Sequence, residues 1–144
     1  MNVAGRRRAG SVSLDQLIAL NDEIAALVRA GIPLEKGLTQ LGREAPGRLG
    51  LLASRLADRM NAGESLGEIL EKDKTTFPPV WRSVVLAGIR SNHLAAALES
   101  LSRTGRRAME LRRSIALGLI SAVVHLPIDD QPVERIALTP AMAK

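Results

Sequence analysis

An all-α domain is the fold class that this sequence predicts, and three observations predict it. Apolar residues make up 46% of the 144-residue chain, yet its aromatics are one Phe and one Trp, with no Tyr. Leu and Ala fill the apolar quota instead, a bias that favours helices packed through aliphatic stripes over sheets. Apolar positions recur at i, i+3 and i+4, and most Gly and Pro residues fall between those recurrences. The length fits one domain with a real hydrophobic core.

Ser13 and Gln16 have capping-box spacing, and Leu14, Leu17, Ile18, Ile24, Leu27 and Val28 follow as one apolar face. This first helix is expected to end near Ala30, where Gly31 suits the left-handed cap and Pro33 suits the first turn of a second helix, Leu34 to Glu44. Ala45, Pro46 and Gly47 break the chain before a third helix, whose Leu49, Leu52, Leu56 and Met60 share a face and which ends before Gly63. Ser65 and Glu68 repeat the capping spacing and open a short fourth helix through Leu66, Ile69 and Leu70. After Phe77 the double proline Pro78-Pro79 forces a fresh start, with Val80, Trp81, Val84 and Val85 as the apolar side of helix five. Gly88 to Asn92 reads as the next break, with Asn92 tolerating a left-handed corner. A long last helix runs from His93 with Leu94, Leu98, Leu101 and Met109, weakened by Gly105. Short connections make sequential neighbours antiparallel, so the architecture is an antiparallel six-helix bundle.

The net charge of +5 gathers in two clusters: Arg6, Arg7 and Arg8, and then Arg103, Arg106, Arg107, Arg112 and Arg113. The first triplet leads into small residues rather than an apolar core, so it is no secretory signal, and residues 1–12 read as a flexible basic arm. Residues 13–113 form the helical domain, and 114–128 are an apolar segment continuing the last helix. Ile115 to Leu126 is unbroken by charge, but about twelve residues at about 1.5 Å each cover only about half of a hydrocarbon core. Residues 129–144 carry no convincing period and are expected to form a poorly ordered tail.

Catalytic chemistry finds little support. The chain has no cysteine and two distant histidines, so thiolate zinc, a thiol nucleophile and a His-based metal site are disfavoured. No phosphate-cradling loop or nucleophile elbow is present, and no cofactor is expected. A basic helical module that binds nucleic acid is a rival reading, but its arginines sit at the two ends and stacking aromatics are almost absent. A stand-alone protein-binding adaptor is the third reading. The corner between helices five and six would present Arg90 and His93 as protruding polar groups, the candidate partner-binding residues. Arg106, Arg107, Arg112 and Arg113 precede the apolar run as a positive flank facing an anionic membrane surface.

The ordered punctuation resembles the amino-terminal cytoplasmic domain of the F proteins of type II secretion systems, together with the related platform proteins of type IV pilus assembly. The residues that carry it are Ala30-Gly31-Ile32-Pro33-Leu34 with Leu38, Gly63-Glu64-Ser65-Leu66, Phe77-Pro78 and the stretch Ala87-Gly88-Ile89-Arg90-Ser91-Asn92-His93-Leu94. The match covers about Leu14 to Arg113 and departs at the corner, where Ile89 stands for an expected Glu and Asn92 for an expected Gly. The resemblance implies a non-catalytic scaffold at the cytoplasmic face of the bacterial inner membrane, touching the assembly ATPase and other inner-membrane platform proteins, and able to form a homo-oligomer. As the chain stands, a cytoplasmic location is expected. The family continues from its basic flank into a full membrane helix, so a truncated or frameshifted copy, a fragment and a soluble version are all open.

Overall fold

The structure, a computed structural model, describes residues 12–125. Six helices follow in order: α1 (Leu14–Ala30), α2 (Leu34–Glu44), α3 (Gly47–Asn61), α4 (Leu66–Lys72), α5 (Pro79–Arg90) and α6 (Leu94–Val124), with no strand among the described residues. The expected basic arm, apart from Val12, and the expected tail at 129–144 lie outside the described residues. Val12, the last residue assigned to the arm, is half-buried and packs on the core.

Both predicted capping boxes form. Ser13 Oγ accepts from Gln16 N–H at 3.3 Å while Gln16 Oε1 accepts from Ser13 N–H at 2.9 Å. The Ser65 and Glu68 pair repeats this at 3.3 and 2.7 Å, so donors left orphaned at the starts of α1 and α4 are satisfied locally. Gly31 ends α1 at φ 66°, a conformation that costs glycine little, and its N–H and that of Ile32 return to the carbonyls of Val28 and Leu27.

The chain divides into two units, Met1–Met109 and Glu110–Lys144. In the first, every helix contributes to one core: Leu20 and Ile24 from α1, Leu38 from α2, Ala53 from α3, Ile69 and Leu70 from α4, Val85 from α5 and Leu98 from α6. Burying each large aliphatic side chain contributes about 1.5–3 kcal/mol, which is the main force closing the bundle. Phe77 and Trp81 stack with ring centroids 4.5 Å apart and planes 16° from parallel. In the second unit α6 continues to Val124, and all of its described side chains are exposed.

Three local expectations change. Gly88 does not break α5; it lies inside the helix and is buried, because a Cβ there would stand 2.7 Å from Ala97 Cβ and 3.2 Å from Leu94 Cα. Its missing side chain serves the close approach of α6, and Asn92 at φ 58° makes the corner alone. Val28 and Val80, assigned to apolar faces, are exposed, Val80 by 73%, each at the edge of a recess rather than in the core. Gly105 is buried where α6 crosses α1, with Ile18 Cδ1 at 3.0 Å from the Cβ position, so its cost in helix propensity is set against close packing.

Candidate functional site

The α5–α6 corner is held by its own backbone. Ser91, Asn92 and His93 donate their N–H groups to the carbonyls of Ala87, Ile89 and Gly88 at 3.0, 3.2 and 2.8 Å. Arg90 and His93 both emerge exposed, as expected of a corner. They are not joined: Arg90 leans toward α4, 3.5 Å from Glu71, while His93 Nδ1 lies 2.6 Å from the Ser91 carbonyl, a contact in which the ring nitrogen donates. Ile89, at the place where the resemblance expects a carboxylate, is half-buried against the core and lies over Gly67 of α4. An acid there would carry its charge into an apolar contact.

His93 has a neighbour that sequence reasoning missed. A recess of about 300 Å³ between the end of α1 and the start of α6 is lined by Val28, Arg29, Asn92, His93 and Leu94 to Ala96. Arg29, one of its lining residues, donates to Glu99 of α6 at 2.7 Å. The contact joins residues far apart in the chain, and no local pattern signals it.

The basic flank divides. Arg106 pairs with Asp22 of α1 within the first unit, so its charge is already engaged, while Arg107 is exposed there. Arg112 and Arg113 belong to the second unit and are exposed. Nothing in the spacing of acids and bases indicated that Asp22 would reach Arg106.

A third feature is an apolar groove of about 260 Å³ formed by α1, α5 and α6. Leu17 and Ile18, Val80 and Trp81, and Leu101 and Gly105 line it. At its floor the Trp81 indole N–H donates to Asn21 Oδ1 at 2.7 Å, with Asn21 only 2% exposed. The amide takes the indole hydrogen bond that burial would otherwise strand.

The most perturbed acid lies elsewhere and serves the fold. Glu64 accepts from Arg59 at 2.7 and 2.8 Å and from Lys72 at 2.9 Å, tying the loop after α3 to α4. The Arg59 hydrogen bonds first, and that of Lys72 second, hold its carboxyl down at about 2. Among the described residues no group of three His, Asp or Glu side chains gathers to hold a metal, and no helix is long and apolar enough to cross a membrane.

Comparison with known proteins gives a consistent picture. Residues 22–128 match the family described as type II secretion system (T2SS), protein F. The chain is similar to type II secretion system protein F of Pseudomonas aeruginosa, 27% identical over 117 residues, covering 81% of this chain and 29% of that protein. It is similar to the protein of the same name from Vibrio cholerae, 26% identical over 114 residues, 78% of this chain and 28% of that one. The Aeromonas hydrophila protein is 27% identical over 119 residues, with 82% and 30% covered. The chain thus spans under a third of the length of these relatives.

Proposed function

The chain belongs to the type II secretion system protein F family, and we propose that it acts as a non-catalytic scaffold at the cytoplasmic face of the inner membrane, docking the assembly ATPase of a secretion or pilus machine. The observation that carries this reading is the family match across residues 22–128, which takes in all of α2 to α6. Most hydrogen-bonded polar side chains of the bundle serve caps, ion pairs and the one buried amide, an arrangement that suits a surface for holding partners.

The docking surface is the α5–α6 corner with Arg90 and His93, extended by Arg29 across the recess that His93 lines. Arg90 and Arg29 stand beside Glu71 and Glu99, so the corner presents mixed charge, and rim charges of this kind act mainly on encounter rate and specificity. The Arg112 and Arg113 pair, with Arg107 preceding it in sequence, faces anionic lipid headgroups. Titrating the ATPase into the Arg90→Glu chain by calorimetry tests the corner. Affinity is expected to fall by about tenfold or more for a lost and reversed contact, and an unchanged affinity removes the corner from the interface.

A further inference from the structure

A cleft between α3, α4 and the loop leading to α5 has no part in the corner proposed above. It holds about 300 Å³ over a floor of Leu52, Leu56, Ile69 and Phe77, side chains at most 7% exposed. Charged groups converge on that floor: Arg55, Asp58 and Arg59 from α3, and Asp73 from the end of α4. An apolar recess met by a few polar groups is the usual form of a binding site, and this one, at the small end of the range, suits a single anchoring side chain.

The fold engages some of these charges and leaves others over. Arg59 is taken up by Glu64 at 2.7 and 2.8 Å. Asp73 Oδ1 accepts from the N–H groups of Thr75 and Thr76 at 3.2 and 3.0 Å and from the Thr75 hydroxyl at 3.4 Å, while its Oδ2 accepts from no group among the described residues. Burial opposes its charge, but the Thr76 and Thr75 hydrogen bonds outweigh burial and hold the carboxyl below its usual range. Arg55 and Asp58 are exposed, and neither joins an ion pair among the described residues. Asp73 acts on Arg59, after Glu64, and so stands at the same end of α3 as Asp58, one turn beyond Arg55. The cleft is therefore dipolar, with one cation at one end and two carboxylates at the other.

We infer that this cleft docks an exposed helix of a partner protein whose large apolar side chain fills the floor, with a lysine or arginine beside it that meets Asp58 and Asp73 and an acid that meets Arg55. Charge complementarity selects this occupant. A purely basic segment would set a cation against Arg55, a purely acidic one would set carboxylates against Asp58 and Asp73, and a wholly apolar one would cover all three charges without partners. A helix suits the spacing, because its side chains three or four apart lie as close together as Arg55 and Asp58 do on α3.

The probe is a blocked, alanine-rich helical peptide with Lys, Leu and Glu on one face, titrated into the isotope-labelled full chain and followed by NMR. Shifts are expected to concentrate at Leu52, Leu56, Ile69 and Thr76. Replacing the peptide's Leu by Ala is expected to weaken binding about tenfold or more, since that side chain carries the apolar burial. The exposed positions allow Asp58→Asn and Arg55→Gln to be made without touching the core, and each is expected to weaken binding about two- to fivefold. Asp58→Lys should favour a peptide with Glu in place of Lys, a reversal that a merely structural role would not produce. No shifts at the cleft, or shifts spread over the whole surface, would overturn the site. Unchanged affinity in both charge variants would overturn the assigned partner chemistry. Free leucine binding as tightly as the peptide would replace the partner helix by a small zwitterion.

Discussion

Replacing Asn21 by Leu leaves the Trp81 indole N–H without its acceptor at the groove floor. A buried donor stripped of its partner costs about 1–3 kcal/mol, and Trp81→Phe should cost a similar amount by stranding the Asn21 carbonyl and removing ring volume. Because the two changes remove one shared contact, Asn21→Leu with Trp81→Phe is expected to destabilise by less than the sum of the singles. Urea midpoints of the four chains measure that coupling, and strict additivity would show that the hydrogen bond contributes nothing. Two glycines make a second contrast. A Cβ at Gly50 would run into the Ala45 carbonyl, so Gly50→Ala is expected to lower stability by about 1–3 kcal/mol. At Gly67 the nearest atoms are 3.9 Å away, and Gly67→Ala should be neutral or stabilise by up to about 1 kcal/mol through reduced backbone entropy in the unfolded chain. Thermal melts of both chains test the pair, and equal effects would contradict the packing difference.

At the scale of elements, the link between α3 and α4 is expected to fail in acid. Glu64 titrates near 2 in the folded chain instead of near 4.5, because Arg59 and then Lys72 donate to it. A carboxyl depressed in this way contributes stability that is complete above about 4.5 and is lost as pH falls through about 2. Glu68 is lowered in the same sense by the Ser65 backbone N–H and hydroxyl. Stability measured against pH should therefore fall in that window, and Glu64→Gln should flatten the fall; an unchanged acid limb would assign it to other carboxylates. The same elements show what was legible in sequence. Ser13, Ser65, Gly31 and Pro33 act within a turn of their own position, so helix starts and stops could be read from neighbours a few residues away. Gly88 was ambiguous because one residue serves either to end a helix or to admit another one closely, and only the position of Ala97 decides. The corner residues Arg90 and His93 were legible as exposed, since Asn92 marks the turn. Their surroundings were not: Asn21 lies 60 positions from Trp81 and Asp22 lies 84 from Arg106, separations at which periodicity carries no information.

For the whole molecule, the two units should differ in how readily their backbone opens. Amides of α1 and α5 around Ile24 and Val85 lie beneath side chains with no exposed surface, and releasing them requires opening the common core. In the second unit every described side chain from Glu110 onward is exposed, so its helix is held by its own hydrogen bonds alone. The stretch prolongs a helix that starts in the first unit, so nucleation is already met, but no tertiary contact holds the added turns. Residue-resolved hydrogen exchange on the full chain is therefore expected to show amides from Arg112 to Val124 exchanging at least about a hundredfold faster than those of Ile24 and Val85. Core-level protection there would mean that another protein surface covers Ile115 to Val124. Protection that rises with protein concentration would identify a second copy of the chain as that surface.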